Sequence, residues 1–147
     1  MQVTMPKPMC GGRSAQLRDM LEADHAWMCQ AKIDGHRTLW DGTKLLSRRG
    51  HRVRHPLIED ALRGCPPIDG ELWDCALWAF DLPDHPGTLD ERWEELGKLE
   101  MSDAVKMVPT TRWAEVMRSP WEGAVYKRRS SLYPTGCSTS AWVKFRK

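Results

Sequence analysis

The segment Lys32-Ile33-Asp34-Gly35-His36-Arg37 has the residue types and spacing for covalent chemistry. A lysine that attacks phosphorus must offer a neutral amine near pH 7. The free side chain holds its proton to about pH 10.4, so the site must disfavour the charged form. Burial and nearby cations achieve this for nucleophilic lysines. Asp34-Gly35 suits a tight turn that fixes the lysine at the end of a strand, and Arg37 is close enough in sequence to return to the same pocket. Lysine beside Asp-Gly is equally ordinary surface-hairpin chemistry, so this segment alone leaves both readings open.

Further segments follow at intervals: Ser47-Arg48-Arg49-Gly50, Asp69-Gly70-Glu71-Leu72, Ala79-Phe80-Asp81-Leu82, Glu122-Gly123-Ala124-Val125-Tyr126-Lys127 and Trp142-Val143-Lys144-Phe145-Arg146. With the first, they resemble in order K-x-D-G-x-R, S-R-x-G, D-G-E, the aromatic F-D motif, E-G-x-x-x-K and W-x-K-x-K. These are motifs of the covalent nucleotidyltransferase superfamily of ATP-dependent DNA ligases, RNA ligases and mRNA capping enzymes. The chain is most similar to the adenylation domain of ATP-dependent DNA ligases, in a minimal form. The matches run from Lys32 to Arg146, nearly the whole chain.

The resemblance implies roles. Lys32 would attack the ATP α-phosphate, release pyrophosphate and become lysyl-AMP. Lys144 and Arg146 would hold the α-phosphate oxygens and help lower the lysine pKa, since charge stabilisation and positioning dominate phosphoryl transfer. Glu122, with Glu71, would hold Mg²⁺. Arg37 and Glu71 would contact the ribose. Phe80 would stack on adenine, although an aromatic in a strand is as readily a core residue. Arg48, and more weakly Arg49, Lys127 and Arg128, would contact DNA phosphates. AMP would then pass to the 5′-phosphate of a nicked duplex, and the 3′-hydroxyl would displace it.

Three departures qualify the resemblance. Gln30 stands where DNA ligases usually carry the glutamate that accepts a hydrogen bond from the adenine amino group; its amide oxygen can still accept, without charge. Arg146 replaces a lysine, keeping the charge but not the geometry. The sequence ends one residue after Arg146. The expectation is therefore a single domain over residues 1–147 without an OB-fold, and an OB-fold or replication/repair protein as a possible partner. RNA ligation is the alternative within the enzymes. The alternative outside them is a nucleotide- or nucleic-acid-binding module that needs an OB-domain partner to seal.

The elements that must position these residues can be read from patterning. Ser14 can cap a short helix with Leu17, Met20 and Leu21 on one face. The stretch from Trp27 to Arg54 is strand-like, and Asp41-Gly42 signals a type I′ hairpin turn. Pro56–Arg63 reads as a helix offering Leu57, Ile58, Ala61 and Leu62 to a core. Strands are expected around Ile68–Trp73 and Ala76–Leu82. Thr88 and Glu91 form a capping box for a helix that turns Leu89, Trp93, Leu96 and Leu99 inward. A strand near Val105–Val108, a helix near Thr111–Met117, and strands Glu122–Lys127 and Ala141–Arg146 complete an α+β fold. By the resemblance it is an ATP-grasp-like adenylation domain, with mostly antiparallel sheets flanked by helices. The first stretch, to about Arg13, reads as an extended lead-in.

Composition sets outer bounds. Hydrophobic residues at 41% and charged residues at 29% suit a folded globular chain. No apolar run approaches the roughly 20 residues that span a bilayer, and no secretory signal is evident, so a cytoplasmic monomer with no membrane partner is expected. The five cysteines are scattered without a C-x-x-C pair, which argues against zinc or a disulfide framework; they read as small buried or neutral residues. The eight tryptophans read mostly as core. The net charge is only +2, but Arg48, Arg49, Arg52 and Arg54 cluster, as do Lys127, Arg128 and Arg129. Such clusters suit a polyanion or a scattered solvated surface about equally.

Overall fold

A computed structural model describes residues 5–12, 14–134 and 139–147. Alternation of apolar and polar residues along the strands produces two sheets, each with one face against its own helices. The first sheet contains β1 (Pro8–Cys10), β2 (Trp27–Lys32), β9 (Gly123–Arg128) and β10 (Thr139–Arg146), in the order β1-β10-β9-β2. The second contains β3 (His36–Trp40), β4 (Leu45–Ser47), β5 (Arg52–Val53), β6 (Ile68–Trp73), β7 (Ala76–Asp81) and β8 (Val105–Met107), in the order β5-β4-β3-β6-β7-β8. Pairing is antiparallel except for β1 with β10 and β7 with β8. The α+β fold with mostly antiparallel sheet is as expected. Part of the lead-in, however, is a strand, because β1 covers the edge that β10 would otherwise expose.

Behind the first sheet, α1 (Ala15–Ala23) and α4 (Trp113–Met117) pack on Ala124, Tyr126, Val143 and Phe145. Ser14 accepts a hydrogen bond from the Leu17 amide and caps α1. Leu21 is buried and Leu17 packs on this cluster, but Met20 is 63% exposed. Behind the second sheet, Trp40, Leu45, Ile68, Leu77 and Ala79 meet α2 (Pro56–Leu62) and α3 (Leu89–Gly97). Only Ile58 and Leu62 of α2 are fully buried; Leu57 and Ala61 face solvent, so the helix buries a narrower stripe than expected. The Thr88–Glu91 capping box is formed at α3, and Leu89 and Leu96 are inward with Arg92 between them.

The hairpin between β3 and β4 forms where expected, but its centre lies one residue later. Asp41 Oδ1 accepts from the Thr43 and Lys44 amides at 2.8 Å each, so Asp41 opens the turn instead of sitting inside it. Of the turn residues only Gly42 has positive φ, at 103°. Thr43 and Lys44 therefore belong to the turn, not to β4. The two-residue turn with positive φ at both positions is instead Asp74-Cys75, between β6 and β7, with φ 50° and 60°.

Only Trp40 and Trp142 among the tryptophans are buried. The others are half-buried, except Trp73, which is exposed. Free thiols occur at Cys10 and Cys75, which are exposed, and at Cys29 and Cys65, which are half-buried; Cys137 lies outside the described residues. Burial pushes the Cys29 thiol up to about 12, so it stays neutral. Among the described residues, no helix is long and apolar enough to cross a membrane.

Candidate active site

The sheets face each other across a pocket with a cavity volume of about 150 Å³. The turn Ile33-Asp34-Gly35 carries the chain from β2 in one sheet to β3 in the other. A side chain on Gly35 would collide with the Leu72 carbonyl oxygen, so this turn can close only without one.

Strand register arranges the first sheet's side of the pocket in rows. Lys32 and Arg146 both sit opposite Gly123; Gln30 and Lys144 sit opposite Val125; Met28 and Trp142 sit opposite Lys127. Successive rows lie roughly 7 Å apart along the strands. The Lys32 row is at the mouth and the Lys127 row is deep. Gly123 is required because a Cβ there would strike the Phe145 carbonyl oxygen. The second sheet supplies Arg37, Glu71 and Phe80. A β-bulge sets Phe80 as an extra residue, since Gly70 pairs Ala79 while Asp69 pairs Asp81. The bulge directs Phe80 at the pocket while Asp81 remains inside.

Lys32 Nζ contacts Glu122 Oε1, and Arg146 Nε lies 3.7 Å from the same oxygen. Burial lowers the Lys32 pKa, and the positive charges of Arg146 and Lys144 lower it further. The Glu122 contact works in the opposite direction, favouring the ammonium. Burial raises the Glu71 carboxyl, while Lys32, Arg37 and the Gly35 amide oppose the rise. Glu71 and Glu122 border an open groove beside Lys32 that continues over Arg48 and Arg49. These are hard oxygen donors in an electropositive mouth, which suits Mg²⁺ with most of its waters retained. No cluster of three or more His, Cys, Asp or Glu with metal-holding geometry occurs among the described residues.

Arg37 is more committed than expected. Its guanidinium forks onto Asp69 at 2.9 and 2.5 Å and donates to the Pro6 carbonyl at 2.6 Å, while stacking 5.2 Å from the Phe80 ring centroid. Tyr133 donates to the same Asp69 at 2.7 Å. Gln30 donates to the Phe80 carbonyl at 3.3 Å. That bond fixes the amide orientation and turns its oxygen away from Phe80.

Two residues expected at nucleic acid lie off the groove that Arg48 and Arg49 border. Lys127 is 2% exposed and lines the floor of the pocket, its Nζ 4.3 Å from the Phe80 ring centroid and 4.0 Å from that of Trp142. It makes no hydrogen bond, and Asp81 is 3.9 Å away. Arg128 is exposed but lies over Trp27, on the side facing away from the pocket. Adjacent strand residues point to opposite faces, so a basic pair inside a strand cannot form one patch. Arg48 and Arg49 are exposed on the turn after β4 and border the groove.

Sequence reasoning missed Arg92. It is fully buried and forks onto Asp81 at 2.6 and 3.2 Å, while donating to the carbonyls of Gly87 and Ser131. An arginine spaced three residues after Leu89 and four before Leu96 was the available signal.

Burial moves Lys127 from 10.5 to about 8, with Asp81 opposing the drop. Between those values the unfolded chain holds a proton that the folded chain lacks, so stability rises with pH across the window. Below pH 8 the full cost of the buried ammonium applies. Lys127→Met is expected to be more stable than the parent at pH 7 by on the order of 3 kcal/mol and to lose that advantage by pH 10.5. Denaturant unfolding at both pH values measures this; a less stable variant at pH 7 contradicts it.

Lys32 thus stands at a strand end beside Arg146 and Glu122, with Phe80 and Glu71 of the other sheet across the pocket. No protein-family model matches the chain. A DNA ligase of Haemophilus influenzae is 33% identical over 94 residues, covering 48% of this chain and 34% of that protein. The chain thus spans about a third of the length of that curated relative. Among solved structures, a Lig E DNA ligase described as binding DNA with a minimal scaffold superposes with a TM-score of 0.78 at 19% identity, covering 100% of this chain and 70% of that one. Chlorella virus DNA ligase-adenylate gives a TM-score of 0.69 at 16% identity, covering 98% and 67%. The fold is that of DNA ligase nucleotidyltransferase domains.

Proposed function

We propose that this chain is the adenylation domain of an ATP-dependent DNA ligase and that Lys32 carries AMP. The observation that carries the reading is the mouth row. It sets a lysine whose pKa is lowered beside Arg146, one strand step from Lys144, at the opening of an aromatic-walled pocket.

Adenine stacks on the Phe80 ring, and the Gln30 oxygen, in the middle row and turned from the Phe80 carbonyl, accepts from its amino group. Arg37 and Glu71 border the ribose. Lys144 and Arg146 hold the α-phosphate. The Lys32 amine loses its proton to solvent and attacks the α-phosphorus. An N–P bond forms as the P–O bond to pyrophosphate breaks. Glu71 and Glu122 would hold Mg²⁺, which would supply charge neutralisation at the phosphates. The 5′-phosphate of a nick then takes AMP from Lys32, restoring the free amine, and the 3′-hydroxyl displaces AMP to seal the strand. Arg48 and Arg49 contact the DNA backbone along the groove.

Intact mass after incubation with ATP and Mg²⁺ tests the first step, and a 5′-phosphorylated nick tests the rest. Sealing by the pure chain means no OB-fold partner is needed; adduct without sealing means one is. The rate of adduct formation should rise with pH as Lys32 deprotonates, with a midpoint below 10.5. Arg146→Gln removes a repelling cation, so the ammonium holds its proton longer and the midpoint should move to higher pH. A midpoint that stays put or falls contradicts the role assigned to Arg146.

A further inference from the structure

Asp69, Glu71 and Trp73 alternate onto the pocket-facing side of the second sheet. Trp78 sits opposite Glu71, and Lys106 sits opposite Trp78. The site face therefore continues past Glu71 into a strip of tryptophan, tryptophan and lysine that neither the nucleotide pocket nor the groove uses. Trp73 is 40% exposed. Its ring centroid is 6.0 Å from that of Trp78 with the planes at 55°, and Lys106 Nζ is 5.3 Å from the Trp78 centroid. The Trp78 indole donates to the Trp73 carbonyl at 3.2 Å, which ties the pair together across the hairpin.

The hairpin tip holds Trp73 in place through backbone that ordinary side chains disfavour. Asp74 and Cys75 both have positive φ, and both are exposed. Trp73 is also adjacent to the groove: its Cβ lies 3.0 Å from where a side chain on Gly35 would begin, and Gly35 borders the groove with Arg48 and Arg49. The groove is thus flanked by two arginines on the β4 side and by an exposed indole on the β6 side.

We propose that Trp73, backed by Trp78 and Lys106, is a stacking contact for the nicked duplex. Its indole packs on sugars and opened base faces at the nick while Arg48 and Arg49 hold phosphates across the groove. The occupant is argued from charge and continuity. The strip carries a cation, it is contiguous with the arginine-lined groove, and a nick is the point in a duplex where stacking is already interrupted. Aromatic faces take bases without regard to sequence, as a nick-directed protein requires. The proposal rests on the ligase reading for the identity of the duplex.

The test is fluorescence anisotropy of a labelled nicked duplex without Mg²⁺, beside AMP-adduct mass and thermal unfolding of each variant. Trp73→Leu keeps apolar cover for Trp78 but removes the stackable face, so it should bind about ten-fold more weakly; Trp73→Phe should retain most of the affinity. Both should load AMP as the parent does. Binding of Trp73→Leu equal to the parent overturns the proposal and leaves the pair as hairpin packing. If the leucine variant does not fold, photo-crosslinking of 5-iodouracil beside the nick to the parent decides the matter. Attachment within the Trp73–Trp78 hairpin supports the contact; attachment only elsewhere overturns it. Absence of any AMP adduct on the parent sinks the ligase reading separately, because the anisotropy series does not depend on ATP.

Discussion

Lys32→Ala is expected to carry no AMP after incubation with ATP and Mg²⁺, under conditions where the parent is fully shifted in mass. The effect is all-or-none because the bond to AMP is made by Nζ itself. Lys144 cannot substitute, since it sits one row deeper, opposite Val125 and not Gly123. The fold should survive: Lys32 is at the pocket mouth, and Arg146 remains beside the Glu122 carboxylate at 3.7 Å. A partly loaded Lys32→Ala protein, with the adduct mapping to another residue, would falsify the lysine assignment. An unchanged unfolding midpoint together with lost loading supports it.

Arg92→Leu is expected to destabilise the domain by about 3–5 kcal/mol, because it strands a charge inside the protein. Asp81 is 1% exposed, and with Arg92 gone its nearest cation is Lys127 at 3.9 Å. The carbonyls of Gly87 and Ser131 lose their donor as well. At this chain length the loss corresponds to a fall of roughly 10 °C or more in Tm. Arg92→Lys should recover part of it, keeping the charge but not the fork. A change under about 1 kcal/mol in Arg92→Leu would show that the buried pair contributes far less than its geometry implies. If Arg92 matters as argued, the leucine variant also disturbs the pocket floor, since Lys127 is then the sole cation close to Asp81. ATP loading should fall more steeply with temperature than in the parent.

The strands that hold Lys32, Glu71, Phe80, Lys144 and Arg146 were legible because period-2 patterning and turn residues set their limits within a residue or two. The Asp34-Gly35 turn was legible from its residue types, whereas the crowding of Gly35 by the Leu72 carbonyl and of Gly123 by the Phe145 carbonyl shows only once the strands are paired. Faces were harder. Lys127 and Arg128 look like one basic patch in sequence, and only the register of β9 against β2 and β10 sends one inward and the other behind. Asp41-Gly42 misled because an aspartate can open a turn through its carboxylate as readily as occupy its centre. Asp74-Cys75 gave no signal, since neither residue advertises the left-handed backbone that the hairpin imposes. Arg92 and Tyr133 were missed because their partners, Asp81 and Asp69, are distant in sequence, and charge alone suggests solvent. What sequence lacks in each case is the neighbour that makes an unfavourable choice favourable.

The middle position of β9 has a consequence for how this domain can change. All three rows of the pocket are counted from that single strand, so its length acts as a ruler for the nucleotide. Adding or deleting one residue between Gly123 and Arg128 would reverse every face beyond the edit. Lys127 would then point at α1 and α4, and Tyr126 into the pocket. Loops can lengthen and helices can drift without touching the chemistry, but β9 tolerates only substitution. Redesign for another nucleotide has to proceed by exchanging side chains on a frame whose spacing stays fixed.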